Sequence, residues 1–267
     1  MAIVLHRIIS FAVLFSLLIN PCYCLNPKLF NVSEIQNVND PWQMAIATWY
    51  GAPEGAGSDG GACGYGESIE YPPLSKMISA GGPSIFLEGR GCGACYQVKC
   101  TENSACSRNP VTVMITDSCP GCAPIQFDLS GTAFGSLANN GQANNLRNAG
   151  RINVQYQRVA CSFGTSITFA VDSGANPYYF ATEIEYENGD GDIVSVELNQ
   201  SRRWIPMQRS WGARWALNSG SQLQPPFSIK ITENGNGKFN TIIAYNVIPR
   251  NWQPGKVYRS LVNFKNL

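Results

Sequence analysis

The sequence predicts an all-β protein of two units, and three observations carry that prediction. Only 14% of residues are charged while 26 are glycine, a composition suited to many short strands joined by tight turns. Strand-like runs of alternating or β-branched residues recur along the chain. All cysteines lie before residue 162, and the texture of the sequence changes where they stop.

The chain opens on an apolar run, Ile8 to Ile19, with Arg7 before it and Asn20-Pro21-Cys22-Tyr23-Cys24 after it. This is the layout of a cleavable secretory signal, and we expect residues 1–24 to be removed after Cys24. A membrane anchor is the competing reading. A spanning helix needs about 20 apolar residues, whereas this run is shorter and ends at a proline. No other long apolar stretch follows, so no membrane span is expected. Cleavage removes Arg7 and no acid, so 19 basic and 18 acidic side chains become 18 and 18. Such a balance calls for neither nucleic acid nor an anionic surface as partner. The expected partner is neutral. About 240 residues then remain, more than the common single-domain size.

Cys22 and Cys24 leave with the signal, and eight cysteines stay: Cys63, Cys92, Cys95, Cys100, Cys106, Cys119, Cys122 and Cys161. An even count in an exported chain reads as a disulfide framework. Cys92/Cys95 and Cys119/Cys122 are each a C-x2-C pair, and zinc is the alternative reading; the export signal favours disulfides, and no metal or cofactor is expected. The single histidine, His6, lies in the signal. The mature chain therefore has no Ser-His-Asp, Cys-His or His-ligated metal chemistry, and any chemistry rests on carboxylates, hydroxyls and aromatic faces.

Residues 25–43 form a polar extension with a glycosylation sequon at Asn31-Val32-Ser33; a second sequon is Asn199-Gln200-Ser201. Residues 44–164 read as a compact β-barrel with long loops, with strands at Ala45 to Tyr50, Cys95 to Cys100, Val111 to Thr116 and Ile152 to Val159. Thr132 to Ala138 reads as a short helix capped by Ser130. Residues 165–267 read as a small antiparallel sandwich. Phe180, Thr182, Ile184 and Tyr186 alternate with Ala181, Glu183 and Glu185, and Asn188-Gly189-Asp190-Gly191 turns the chain into Ile193 to Leu198. Asn234-Gly235-Asn236-Gly237 separates Phe227 to Thr232 from Ile242 to Ile248. The boundary is expected near Phe163 to Ser166.

A neutral sugar chain offers no charge to grip. Proteins hold it by laying aromatic rings on its apolar faces and hydrogen-bonding its hydroxyls, a task that suits the apolar body and polar tip of Trp and Tyr. Trp49, Trp204, Trp211, Trp215 and Trp252 fall within the two units. Trp211, flanked by Ser210 and Gly212, is the surface candidate, and Trp215 the core one. Strand alternation puts Thr48 and Tyr50 on one face and Trp49 on the other, and likewise joins Gln126 with Asp128 while Phe127 points into packing. The candidate acids are Asp59, Asp117 and Asp128. Glycoside hydrolysis ordinarily takes two carboxylates; acids in turns more often cap backbone amides, and spacing alone does not say which of these face each other.

Several ordered motifs resemble the β-expansins, the group that includes grass-pollen group-1 allergens. They are Ala47-Thr48-Trp49-Tyr50-Gly51, Gly60-Gly61-Ala62-Cys63-Gly64-Tyr65-Gly66, Gly91-Cys92-Gly93-Ala94-Cys95-Tyr96-Gln97-Val98-Lys99-Cys100, Thr116-Asp117-Ser118-Cys119-Pro120, Phe127-Asp128-Leu129-Ser130-Gly131-Thr132-Ala133-Phe134 and Ser210-Trp211-Gly212-Ala213. The resemblance implies a six-stranded double-psi β-barrel, similar to family-45 endoglucanases, followed by an immunoglobulin-like sandwich that binds cellulose. It also implies the pairs Cys63–Cys92, Cys95–Cys161 and Cys100–Cys106, leaving Cys119 and Cys122 to close a tight ring with each other.

Carried over by the same resemblance, a cleft would hold Thr48, Tyr50, Asp59, Asp117 and Asp128, with Asp128 where the related endoglucanases keep their general acid. A binding platform would hold Trp49, Tyr179 and Trp211, with Tyr178 as the close rival of Tyr179. Expansins resemble these enzymes with the catalytic base missing, so the expected function is non-hydrolytic loosening of the plant cell wall by a secreted, monomeric protein that binds cellulose, xylan or mixed-linkage glucan. The alternatives are a weak endoglucanase with Asp128 as acid, and a diverged carbohydrate-binding protein without loosening activity. One departure bears on this: the family usually has His before Phe-Asp, and here that position is Gln126, which hydrogen-bonds but cannot titrate.

Overall fold

The structure is a computed structural model that describes residues 42–58, 60–190, 192–235 and 237–265. The expected signal, most of the extension with Asn31, and Asp59 lie outside the described residues. All described residues fall in one compact unit.

Six strands close the barrel: β1 (Gln43–Tyr50), β2 (Ile78–Gly81), β3 (Cys95–Cys100), β4 (Val111–Ser118), β5 (Gln126–Ser130) and β6 (Ile152–Val159), in the order β1-β5-β2-β4-β3-β6. β1 runs parallel to β5, and β2 parallel to β4, while the other neighbours are antiparallel. Inward positions alternate between small and large. Ala45 and Ala47 on β1 leave room for Phe127, Tyr96 and Tyr156, whose rings meet at 5.2–6.1 Å in the barrel core. The expected helix forms at Gly131–Ser136, and the Ser130 hydroxyl accepts the Ala133 N–H at 2.9 Å. A second helix, Ala143–Ala149, escapes sequence reading because its Asn-rich sequence has poor helix propensity; burial of Leu146 and Arg147 holds it in place.

The remaining strands are β7 (Thr168–Val171), β8 (Tyr179–Glu185), β9 (Ile193–Gln200), β10 (Arg203–Pro206), β11 (Gln208–Trp211), β12 (Arg214–Asn218), β13 (Phe227–Gly235), β14 (Lys238–Ile248) and β15 (Val257–Arg259). They form two antiparallel sheets, β11-β12-β8-β7-β15 and β10-β9-β13-β14. Phe180, Phe227, Trp215 and Trp252 fill the core between them. The Asn234 turn makes a tight hairpin in which Gly235 pairs Lys238. The Asn188 segment does not. β8 and β9 belong to different sheets, and Gly189 instead bridges Cys161 with backbone bonds of 2.7 and 3.1 Å, clamping the sandwich to the end of the barrel.

Four disulfides are present: Cys63–Cys92, Cys95–Cys161, Cys100–Cys106 and Cys119–Cys122. Barrel and sandwich also share a polar junction. Arg158 of β6, 2% exposed, donates to Asp192 at 3.0 Å, to Tyr96 at 3.2 Å and to the Asp190 carbonyl. Arg209 of β11 donates to the carbonyls of Gly89 and Gly212. This junction explains why Glu183, Glu185 and Glu187 are buried although they alternate with core residues. The barrel covers that end of the sheet, and Ser68 lies beside Glu185.

Candidate functional site

The strand registers assemble the first candidate site. Thr48 on β1 pairs Asp128 on β5; Asp128 pairs Ala80 on β2; Ala80 pairs Asp117 on β4. Cross-strand partners share a face, so these four side chains form a row across the barrel, opposite the buried Phe127 and Leu129. Ala80 in the middle leaves a gap between the two acids. At the usual strand spacing their Cα atoms stand about 10 Å apart.

Asp128 anchors one end. Its Oδ1 accepts the Thr48 hydroxyl at 2.5 Å. Thr48 in turn accepts Gln126 Nε2 at 3.0 Å, and Gln126 Oε1 accepts the Ala123 N–H at 3.0 Å. Gln126 thus donates with one end and accepts with the other, which aims the Thr48 proton at Asp128. A neutral amide performs both tasks without a titratable ring. Burial raises the Asp128 pKa above the ordinary value, the Thr48 bond opposes that shift, and the negative charge of Asp117 adds to it.

Asp117 is held differently. Its Oδ1 accepts the N–H groups of Ala62 and Ser118 at 2.7 and 2.8 Å, and its Oδ2 accepts the hydroxyls of Ser58 and Tyr50 at 2.9 and 3.5 Å. Both oxygens of the carboxylate are thus engaged, Oδ1 by two N–H groups and Oδ2 by the Ser58 hydroxyl, with the Tyr50 hydroxyl at the outer limit of hydrogen-bond distance. Burial, and next the Asp117 charge, hold the Tyr50 phenol above its ordinary pKa; it stays a neutral donor. Ser58 and the Ala62 amide were not among the sequence candidates, because their approach to Asp117 depends on a loop path that carries no periodic signal.

The second candidate site is the outer face of β11-β12-β8-β7-β15. Tyr179 pairs Asn218, Ala181 pairs Ala216, Glu183 pairs Arg214, and Arg214 pairs Trp211. Tyr179 and Trp211 therefore lie on one face, with the fully buried Ala181 and the half-buried Ala216 in the row between them. Tyr179 stands about 13 Å along β8 from the Glu183 row to which Trp211 belongs. Trp211 is 44% exposed, with the Arg214 guanidinium 4.5 Å from its ring centre. Asp172 at 2.6 Å and Glu183 hold Arg214 from the other side. Burial pushes the Glu183 carboxyl up, against the pull of Arg214. The far edge of the indole rests on the barrel: Gly64 has φ +87°, and a Cβ there would lie 2.7 Å from Trp211 Cη2. The Ala213 N–H donates to the Cys63 carbonyl at 3.0 Å. Two motifs about 150 residues apart in sequence are thus in contact.

Trp49 belongs to neither group. It lies across β1 from Thr48, half-buried against the barrel core 6.5 Å from Phe134, and its indole N–H donates to the Arg147 carbonyl at 3.0 Å. Tyr178 is 54% exposed in the turn before β8. Trp215 is buried, with Arg209 over its ring at 4.7 Å. Among the described residues, Cys119, Cys122 and Asp128 bring ligand-type atoms within 4.8 Å, but both sulfurs are committed to a disulfide.

Residues 167–249 match the family model described as the expansin C-terminal domain, and residues 78–156 match one described as lytic transglycolase. The chain is 54% identical to a putative expansin-B2 of Arabidopsis thaliana over 93% of its length and 92% of the relative's. The chain belongs to the expansin-B family. Expansin-B4 of Arabidopsis is 50% identical over 97% of this chain and 98% of its own, and expansin-B3 of rice (Oryza sativa subsp. japonica) is 47% identical over the whole of both. The solved expansin of Clavibacter michiganensis, 23% identical, superposes with a TM-score of 0.66 over 85% of this chain and 100% of its own. A point mutant of that bacterial protein, solved in complex with cellohexaose, gives 0.65 at 22% identity over the same shares. At this identity the likeness speaks for a shared fold of barrel plus sandwich.

Proposed function

We propose that this expansin-B loosens the plant cell wall by holding a neutral polysaccharide on the Tyr179–Trp211 face and engaging its hydroxyls in the Asp128 cleft, without cutting it. The observation that carries the proposal is that protein donors engage both oxygens of Asp117. General-base catalysis needs a carboxylate oxygen free to take a proton from water, and both oxygens of Asp117, the acid across the gap from Asp128, are already tied to protein donors. Asp128, kept more readily protonated by burial, is suited to donate to a glycan oxygen. An acid without a base exchanges hydrogen bonds with a glucan but hydrolyses it poorly, since each partner typically contributes about 10²–10⁴-fold.

The cellohexaose complex of the bacterial expansin supports a β-glucan as ligand. Cellulose, xylan and mixed-linkage glucan all present the apolar ring faces and equatorial hydroxyls that the face and cleft would engage. Export to the wall rests on the signal-like segment of residues 1–24 and on the family. The half-buried Trp49, with its N–H already engaged, adds contact area at the barrel rather than a free stacking ring.

Creep of heat-inactivated walls under load, measured with sugar release on the same preparation, tests the reading. Extension without new reducing ends is expected. Shortened oligosaccharides that vanish in Asp128→Asn would replace it with a hydrolase. Wall binding without creep would leave a carbohydrate-binding protein, and Gln126→His then asks whether an imidazole restores movement.

A further inference from the structure

The opposite face of the sandwich, on β10-β9-β13-β14, carries a feature that polymer binding does not use. Gln200 pairs Arg203, so β9 and β10 are joined by the two-residue turn Ser201-Arg202, with φ of 50° and 65°. The sequon Asn199-Gln200-Ser201 runs from the strand end into this turn. Val196 and Leu198 point into the core, so Asn199 points outward. Gln200 is tied down, donating to the Gln222 carbonyl at 3.4 Å and accepting the Gln224 N–H at 2.9 Å. No hydrogen bond to the Asn199 side chain occurs among the described residues.

Trp204 pairs Asn199 across the hairpin and so shares its face. Lys230, fixed to Glu197 at 2.5 Å, places its ammonium 4.9 Å from the Trp204 ring centre and steadies the indole. At the other edge of the sheet stands Tyr245, 74% exposed. Ala244 and Leu198 both pair Ile229, and Leu198 pairs Ile205. Trp204 and Asn199 therefore share the next row, and Tyr245, which follows the inward Ala244 where the β13–β14 register shifts, turns to the same outward face about 14 Å away across four strands. Ser228, small and buried, fills the interval. The result is a shallow trough with an aromatic ring at each end and an unengaged asparagine amide inside it.

We infer that Asn199 carries an N-linked glycan whose innermost sugars lie in this trough, stacked on Trp204 and reaching toward Tyr245. Transfer joins Asn199 Nδ2 to the anomeric carbon of a sugar carried on a lipid diphosphate. The carrier's C–O bond breaks with its electron pair passing to the diphosphate, and one amide proton is released. The glycan then supplies apolar ring faces to aromatic surface that otherwise meets water. It also closes this sheet to wall polymers, leaving the Tyr179–Trp211 face as the binding side. The inference rests on the proposed export, since the transferase acts on chains entering the secretory route.

The test is the full chain secreted from cultured plant cells, with peptides mapped by mass after enzymatic deglycosylation in ¹⁸O water. An isotope-labelled aspartate is expected at 199. Glycan removal from the intact protein is expected to lower Tm by about 2 °C and to open tryptophan fluorescence to an aqueous quencher; in Trp204→Ala removal is expected to change neither. A secreted chain with unmodified Asn199 overturns the inference alone, whereas a chain retained in the cell overturns the export reading. A glycan whose removal has the same effect with or without Trp204 refutes the seating. So does a deglycosylated chain that gains no wall polymer affinity through the bared trough.

Discussion

Replacing Trp211 by alanine separates binding from folding on the sandwich face. The residue is 44% exposed, and a tryptophan carries up to about 250 Å² of surface, so roughly 100 Å² of indole is open to a ligand. Covering between half and all of that area at about 25 cal/mol per Å² contributes ~1.3–2.5 kcal/mol, equivalent to a loss of about ten- to seventyfold in affinity on truncation. The ring also leans on Gly64 and Arg214, so Tm is followed alongside. The assay is a depletion isotherm on insoluble cellulose and on xylan. An affinity within twofold of the parent, with Tm unchanged, would refute the assignment of this ring as a platform.

Three further outcomes are expected. Gly64→Ala introduces a Cβ 2.7 Å from Trp211 Cη2 at a φ of +87°; it should weaken polymer binding by tilting the indole, and cost about 1–2 kcal/mol in urea unfolding from the backbone alone. Thr48→Val removes the bond that opposes the rise of the Asp128 pKa, so the Asp128 carboxyl should titrate at higher pH by ¹³C NMR. Glu187 is buried against Glu233, with Asp192 and Asp190 nearby and Arg158 beyond them; burial first, then the hydrogen bond shared with Glu233, lifts its pKa well above 4.5. The folded state therefore holds a proton that the unfolded chain releases. This stabilisation is complete below the unfolded value and is lost, at no more than about 1.4 kcal/mol per pH unit for one proton, as pH rises through the folded value; Glu187→Gln should flatten that part of the stability curve.

Much of this protein was legible in the chain because its signals are local. Alternation in Ala47 to Tyr50 and Gln126 to Asp128 sorted the cleft residues from the packed ones, since a strand side chain has only two directions available. The Ser130 cap, the Asn234 hairpin and the exposure of Trp211 against the burial of Trp215 follow from the same short-range rules. The last cysteine, Cys161, lies between β6 and β7.

What only the tertiary structure decided are relations between distant segments. Asp117 and Asp128 face each other across a gap because β2, four residues absent from the sequence reading, inserts Ala80 between their strands. Ser58, Ala62, Ser118 and Tyr50 converge on Asp117 from three places in the chain, and that convergence, not the identity of the acid, ties both of its oxygens to the protein. Trp49 stays half-exposed, and the helix Ala143–Ala149 brings the Arg147 carbonyl to its indole N–H, a partner that strand alternation does not reveal. Periodicity reports which way a side chain points; it carries no information about what the rest of the chain folds against it, and at each of these positions that neighbour sets the chemistry.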